Sequence, residues 1–315
     1  MKTHKIRNSF LLFLTAFIWG TAFVAQSVGM DYVGPFTFIC VRSFIGGIVL
    51  IPCILILEKV NPNEHEKRQC RTKEGKKKYY KMLAIGGICC GAALGVASCL
   101  QQIGIQYTTV GKAGFITSFY IIIVPVLGLF LKRRCGWKVW IGVGFALAGM
   151  YFLCITEELS VGFGDKMVFL SALIFSVHIL IIDHFAEKVD GVKMSCIQFF
   201  VSGFLSGIGM LLFENPNVES ILAAWLPILY AGVLSTGVGY TLQIVGQKGM
   251  NPTIASLILS LESVISVLAG MVVLGEKLSQ REIFGCLLMF IAIILAQLPE
   301  KKETSQELYA DLTEI

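Results

Sequence analysis

The sequence predicts an all-helical membrane protein, and its composition and the length of its apolar runs lead to this prediction. Of its 315 residues, 55% are hydrophobic and only 15% are charged, against about 25% charged in an average soluble domain. The apolar runs between the charged clusters are as long as the roughly 20 residues that a helix needs to cross a bilayer. Because these runs lack the period-two alternation of barrel strands, they predict a helical bundle.

The apolar runs divide the chain into ten predicted spans, and no loop between them is long enough for a soluble domain. The predicted spans cover residues 10–28, 35–57, 82–103, 113–131, 139–155, 167–186, 192–213, 221–245, 252–274 and 283–298. The first span follows Lys2, Lys5 and Arg7 as a signal peptide would, but it is long and no clear cleavage site ends it, so we interpret it as a span.

The basic residues predict the orientation of the spans. Most of the 26 Lys and Arg residues fall near the two termini or in alternate loops, above all in 58–81. The others are Lys112, Lys166, Lys277 and Arg281 in the remaining loops, and Arg42 within a span. The positive-inside rule therefore places both termini in the cytoplasm of a multi-pass plasma-membrane protein. This distribution explains the net charge of +5 without a nucleic-acid partner, and it makes anionic membrane lipid the expected contact of the basic loop.

The two halves of the chain align weakly but in order, which predicts an internal repeat. The aligned pairs include Gly95 with Gly237, Gln101 with Gln243 and Gly104 with Gly246 at an offset of 142, and Trp19 with Phe175 and Arg42 with Gln198 at an offset of 156. Five spans per repeat is an odd number, so the second copy enters the membrane from the opposite side. The predicted units are two inverted-topology five-helix repeats, 1–156 and 157–299, and a cytoplasmic tail, 300–315. Such repeats are typical of alternating-access transporters.

Several motifs resemble one transporter family. These are LTAFIWGTAFVAQ (14–26), TTVGKAGFITSFYIIIVPVLGLFL (108–131), LILSLESVISVLAGMVVLGEKLS (257–279) and the closing GCLLMFIAIIL. Over residues 10–298 the chain resembles the EamA-like branch of the drug/metabolite transporter superfamily. The family's frequent Glu-Pro pair is here Glu262 followed by Ser263, a departure from its pattern. The resemblance implies spans one, three, four, six, eight and nine around a cavity, and transport of small metabolites, with export favoured.

Three ionisable residues within spans are candidate functional residues, because a charge at membrane depth costs about 2.5 to 3.5 kcal/mol on insertion scales. Glu262 lies near the centre of span nine and could couple proton uptake to transport, or it could be a hydrogen-bonded structural acid. Arg42 could attract a carboxylate or phosphate, or it could contact helix-end carbonyls or an acid. His178 could handle substrate or protons, or it could be a satisfied core histidine.

Uncharged aromatic and amide side chains near the middle of the membrane complete the predicted substrate site. They are Trp19, Gln101, Tyr120, Tyr240 and Gln243. Aromatic and amide groups together form pockets that stack against metabolites and hydrogen-bond to them, although each residue alone could serve packing. Trp19 is the strongest of these candidates, because interfacial anchoring explains a Trp at the end of a span and not one at its middle.

These observations favour a secondary transporter of a small metabolite, such as an amino acid or related amphipathic compound, without a cofactor or a metal. The sequence has no phosphate-binding loop, HExxH, GxSxG or paired-aspartate motif, so a membrane-embedded enzyme is the weaker alternative. An accessory subunit or a channel stays open as another alternative. Glycine spacing in spans three and seven predicts close helix packing and leaves homodimerisation open.

Overall fold

The computed structural model describes residues 2–60, 66, 70–131, 136–154, 162–274 and 280–297, and within these ranges the regular structure is entirely helical. The all-helical prediction is therefore confirmed. Lys277, part of the basic loop 58–81 and the predicted tail 300–315 lie outside the described residues.

The first half of the chain begins with three long helices. Its helices are α1 (Lys2–Gly29), α2 (Pro35–Val60), α3 (Lys73–Ile105), α4 (Val110–Thr117), α5 (Tyr120–Phe130) and α6 (Trp137–Cys154). Helix α3 begins ahead of the predicted start at residue 82, since Thr72 caps it by accepting a hydrogen bond from the Gly75 amide. The charged residues 73–81 thus form a helical extension of the predicted span rather than a loop.

The second half contains a π-helix between short α-helices. Its helices are α7 (Phe163–Phe185), α8 (Gly191–Phe213), α9 (Val218–Ala223), α10 (Trp225–Leu229), a π-helix (Tyr230–Tyr240), α11 (Thr241–Gln247), α12 (Pro252–Leu259), α13 (Leu261–Leu274) and α14 (Gln280–Gln297). Asp190 caps α8 by accepting from the amides of Val192 and Lys193. Asn251 caps α12. Pro252 occupies a first-turn position, where an amide hydrogen would have no acceptor within the helix.

Eight helical segments of the described chain are long and apolar enough to cross a membrane, and they coincide with eight of the predicted spans. They are Ile6–Gly29, Pro35–Val60, Lys73–Ile105, Val110–Phe130, Phe163–Phe185, Gly191–Phe213, Trp225–Gln247 and Pro252–Val273. The other two predicted spans coincide with α6 and α14, whose apolar stretches, Trp140–Gly149 and Ile283–Ala292, are shorter. A total of ten membrane crossings stays a prediction.

Two predicted spans are each broken into two helices. Span four is interrupted at Ser118 and Phe119, between α4 and α5, and Pro125 in α5 supplies no amide hydrogen to the carbonyl four residues earlier. Span nine is interrupted at Ser260, between α12 and α13, without a proline. There the hydroxyls of Ser256, Ser260, Ser263 and Ser266 each donate to the carbonyl three residues back, a pattern that bends helices.

Helix packing brings the two halves of the chain together. Helix α3 packs against α7 and α8, while α1 packs against α13, α11 and the π-helix, and α6 packs against α14. Close approach depends on glycine: a Cβ atom on Gly20 would lie 2.5 Å from the Ile265 Cβ and 2.8 Å from the Glu262 carbonyl. On α3, a Cβ on Gly91 would lie 2.6 Å from the Val201 Cβ. These glycines let the helices around the centre of the bundle touch through their backbones.

Candidate functional site

A central cavity lies between the two halves, with about 420 Å³ of empty space that includes open solvent. Seven of the eight predicted site residues line it: Trp19, Arg42, Gln101, Tyr120, Tyr240, Gln243 and Glu262. That these residues bind a substrate stays a prediction, but the structure brings them together around one space.

Glu262 and Tyr120 meet at the two helix breaks. Tyr120 is the first residue of α5 and Glu262 is the second residue of α13. The Tyr120 hydroxyl donates to Glu262 Oε1 at 2.8 Å, and both side chains are almost fully buried. The acid of span nine is therefore hydrogen-bonded across the bundle to span four.

Arg42 is 2% exposed, yet its Nη1 has no hydrogen-bond partner among the described residues. Its guanidinium lies over the Phe38 ring, whose centroid is 5.9 Å from Cζ. Within the described chain no ion pair of 4.0 Å or less joins Arg42 to Glu262, although both residues line the cavity. The site thus combines an arginine without a carboxylate partner and an acid whose described partner is a hydroxyl.

The aromatic wall of the cavity is formed by α1 and the π-helix. The rings of Trp19 and Tyr240 have their centroids 4.5 Å apart at an interplanar angle of 51°. Trp19 Nε1 donates to the Ser235 carbonyl at 3.3 Å, and Thr15 Oγ1 donates to the Gly239 carbonyl at 3.3 Å. Side chains of α1 therefore hold the π-helix, a form of helix that is often found at functional sites.

The two predicted glutamines differ in their contacts. Gln101 Nε2 donates to Thr117 Oγ1 at 2.9 Å, which ties α3 to the end of α4. Gln243 Oε1 is buried and has no partner among the described residues. One amide is therefore engaged in the fold, and the other leaves an acceptor that a ligand could use.

His178 is the predicted site residue that does not line the cavity. Its Nε2 lies 3.1 Å from Gln198 Oε1, and its ring lies edge-on to Tyr240 with centroids 6.1 Å apart. The side chain is fully buried. Its Nδ1 is buried without a partner among the described residues, and the Tyr240 ring lies between His178 and the cavity, so whether His178 is a functional or a core histidine stays a prediction.

Sequence reasoning did not select six of the lining residues. They are Phe23, Gln26, Thr117, Phe175, Ile179 and Ser235. The predicted internal repeat offers a signal for two of them, because Phe175 and Ile179 lie 156 residues after Trp19 and Phe23. The other pairs across the cavity are Gln101 with Gln243 and Tyr120 with Glu262, each 142 residues apart. Positions that the predicted repeat relates to each other thus line one cavity.

Polar contacts join helices at both ends of the bundle. At the start of α7, Asp165 accepts from Thr108 at 2.7 Å and pairs with Lys112 at 2.7 Å. Near the start of α1, Asn8 Nδ2 donates to the Lys248 carbonyl at 2.8 Å. Lys112, which the sequence predicted to lie in a loop, lies in the first turn of α4 and forms an ion pair that links α4 to α7.

Together, the membrane-length helices and the cavity between the two halves are those of a multi-pass membrane protein of the kind that transports small molecules. The EamA-like transporter family matches the chain twice, over residues 7–155 and 162–298, and the chain belongs to that family. This membership favours a transporter over an enzyme.

Relatives in other organisms carry similar names. An "uncharacterized transporter" of Archaeoglobus fulgidus is 29% identical over 91% of this chain and 84% of its own length. The "uncharacterized transporter YoaV" of Bacillus subtilis is 25% identical over 88% of this chain and 92% of its own. A crystal structure at 19% identity superposes with a TM-score of 0.72, covering 92% of this chain and 96% of that one, which shows the shared fold.

Proposed function

We propose that this protein is a secondary active transporter that moves a small amphipathic metabolite, with amino acids as the leading class, across the cell membrane by alternating access. The observation that carries the proposal is the lining of the central cavity. Trp19 and Phe175, Gln101 and Gln243, and Tyr120 and Glu262 occupy related positions of the two halves and face the same space. A site at the interface of two related halves is what alternating access requires.

The proposal includes ten crossings in two inverted repeats, 1–156 and 157–299, with both termini cytoplasmic. Three observations support it. The packing of α3 on α7 has its counterpart in the packing of the π-helix and α11 on α1. The helix breaks at Ser118 and Ser260 lie 142 residues apart. The contact of Thr108 with Asp165 at one end is matched by that of Asn8 with Lys248 at the other.

Glu262 is our candidate for proton coupling. It is the one acidic residue among the described lining residues, and it is 3% exposed. A buried carboxyl that faces a cavity can take up a proton from one side and release it to the other as access alternates. Proton entry would then supply the energy for export of the metabolite.

The test compares metabolites inside and outside cells that express the wild type or Glu262→Gln at matched levels under an imposed pH gradient. A compound that leaves the wild-type cells and stays in the mutant cells identifies the substrate class and supports proton-linked export. Saturable counterflow in vesicles supports a carrier, whereas a steady conductance without saturation would identify a channel. Identical metabolite profiles in wild-type and empty cells would contradict the proposed export.

A further inference from the structure

Arg42 is a buried cation that faces a cavity without a carboxylate partner. A buried charge is stabilised when it is paired and hydrogen-bonded. Arg42 is 2% exposed, its Nη1 has no partner among the described residues, and the Phe38 ring at 5.9 Å replaces only part of its hydration. We propose that the cavity binds the carboxylate of an apolar organic acid and that Arg42 is the residue that recognises it. This inference rests on the proposed transport function and names the ligand class of the same site.

The related position in the second half indicates that the fold itself does not need a cation here. Gln198 lies 156 residues after Arg42, and its Oε1 lies 3.1 Å from His178 Nε2, whereas its Nε2 is buried without a partner among the described residues. A neutral side chain with one local hydrogen bond therefore occupies the equivalent place. The positive charge of Arg42 has no such internal partner in the described chain, which points to a partner from outside the protein.

Glu262 does not fill this role. Its Oε1 accepts from Tyr120 at 2.8 Å, and no ion pair with Arg42 is found in the part of the chain that the structure describes. Since no carboxylate of the described residues complements Arg42, we assign that role to the ligand. Arginine suits this role, because its planar fork binds a carboxylate through two parallel hydrogen bonds.

The charges of the cavity favour a carboxylate over a phosphate group. Among the described lining residues, Arg42 is the one basic residue and Glu262 the one acidic residue. A carboxylate carries one negative charge, which Arg42 balances. A phosphate monoester carries up to two at neutral pH, so a single arginine would leave a buried excess of negative charge beside Glu262.

The rest of the cavity fits an apolar ligand body with one more polar group. Trp19, Phe23 and Phe175 supply aromatic surface, and Ile179 adds aliphatic surface. The Oε1 atoms of Gln26 and Gln243 are buried acceptors without partners in the described residues. These amides are available to a second polar group of the ligand, such as an ammonium.

The experiment uses the full-length protein in liposomes loaded with chemically matched probes. The probes are L-leucine, L-methionine and L-phenylalanine, their three carboxamides, and phenyl phosphate, and mass spectrometry follows their loss above leakage from empty liposomes. For the wild type we expect each acid to leave at least about tenfold faster than its amide, since hydrogen bonds to charged groups are the strong ones. In Arg42→Gln this ratio should fall towards one.

Two further variants separate recognition from folding. Arg42→Lys keeps the charge without the planar fork, so it should retain a reduced preference for the acids with a higher KM for them. Arg281→Gln removes an exposed arginine that lies against Tyr151 and Phe152, and it should keep the wild-type ratio. A merely structural Arg42 would lower the transport of acids and amides alike and leave their ratio unchanged.

Three results would overturn the inference. The wild type could move amides as fast as acids, Arg42→Gln could keep the wild-type ratio, or phenyl phosphate could leave faster than the acids. Retention of every probe by wild-type liposomes would also reject this ligand class. The proposed transport function would survive that last result if the wild-type cells still exported another compound in the metabolite comparison.

Discussion

The hydroxyl of Tyr120 donates to the carboxyl of Glu262 at 2.8 Å, and the two residues lie 142 positions apart, next to breaks in two different predicted spans. This hydrogen bond joins α5 to α13 directly at the cavity. Helix breaks expose polar backbone near the middle of the bundle, where it is tolerated when it is buried in protein or lines a cavity.

Glu262→Gln should abolish transport driven by a pH gradient, because glutamine cannot bind and release the proton. Its amide oxygen can still accept from Tyr120, so folding should be preserved. Uptake or efflux in vesicles with and without a pH gradient measures the effect. Tyr120→Phe is the matched control, since it removes the hydrogen bond and leaves the acid in place. Unchanged pH dependence in Glu262→Gln would remove Glu262 from proton coupling.

Tyr120 and Glu262 should be coupled in a double-mutant cycle of thermal stability. Tyr120→Phe and Glu262→Leu each remove this hydrogen bond and should each cost about 0.5 to 2 kcal/mol, and the double variant should cost less than their sum, as expected for contacting residues. The Arg42→Gln and Glu262→Leu pair should be closer to additive, because no ion pair joins Arg42 and Glu262 in the described residues. A larger coupling for Arg42 with Glu262 than for Tyr120 with Glu262 would contradict this assignment.

Gly20→Ala should destabilise the bundle by about 1 to 3 kcal/mol, since the added methyl would meet the Ile265 Cβ at 2.5 Å and the Glu262 carbonyl at 2.8 Å. The helices α1 and α13 would have to separate next to the cavity. Gly144→Ala is the matched control, because a Cβ there has nothing within 4 Å. Melting temperatures of the purified variants measure the difference. Equal melting temperatures for the two variants would show that α1 and α13 are less closely packed.

Trp19→Phe should raise KM several-fold and leave protein levels unchanged. The substitution removes the hydrogen bond from Nε1 to the Ser235 carbonyl and part of the ring that faces Tyr240. Concentration dependence of transport separates KM from the maximal rate. Trp225→Phe, at a tryptophan that is 60% exposed, serves as the control. Kinetics identical to the wild type would assign Trp19 to packing.

Much of this architecture could be predicted from local sequence. The apolar runs predicted helices at all ten places where α-helical segments are found, because a helix satisfies its own backbone and its length follows from the bilayer. The breaks were missed: Ser260 and its neighbours read as ordinary apolar-helix residues, and only their hydroxyl contacts show how span nine is interrupted.

The candidate site could be predicted by residue type but not by arrangement. Rarity of ionisable and amide groups at membrane depth singled out Arg42, Gln101 and Glu262 before any contact was known. The contacts of these side chains depend on which helices become neighbours. His178 lies next to Gln198, Tyr120 donates a hydrogen bond to Glu262, and Arg42 has one nitrogen without a partner among the described residues. Sequence alone determined the helices, the membrane setting and the polar residues within it, because these follow from hydropathy. Only the tertiary structure decided the partners, because distant segments meet through packing that no local pattern records.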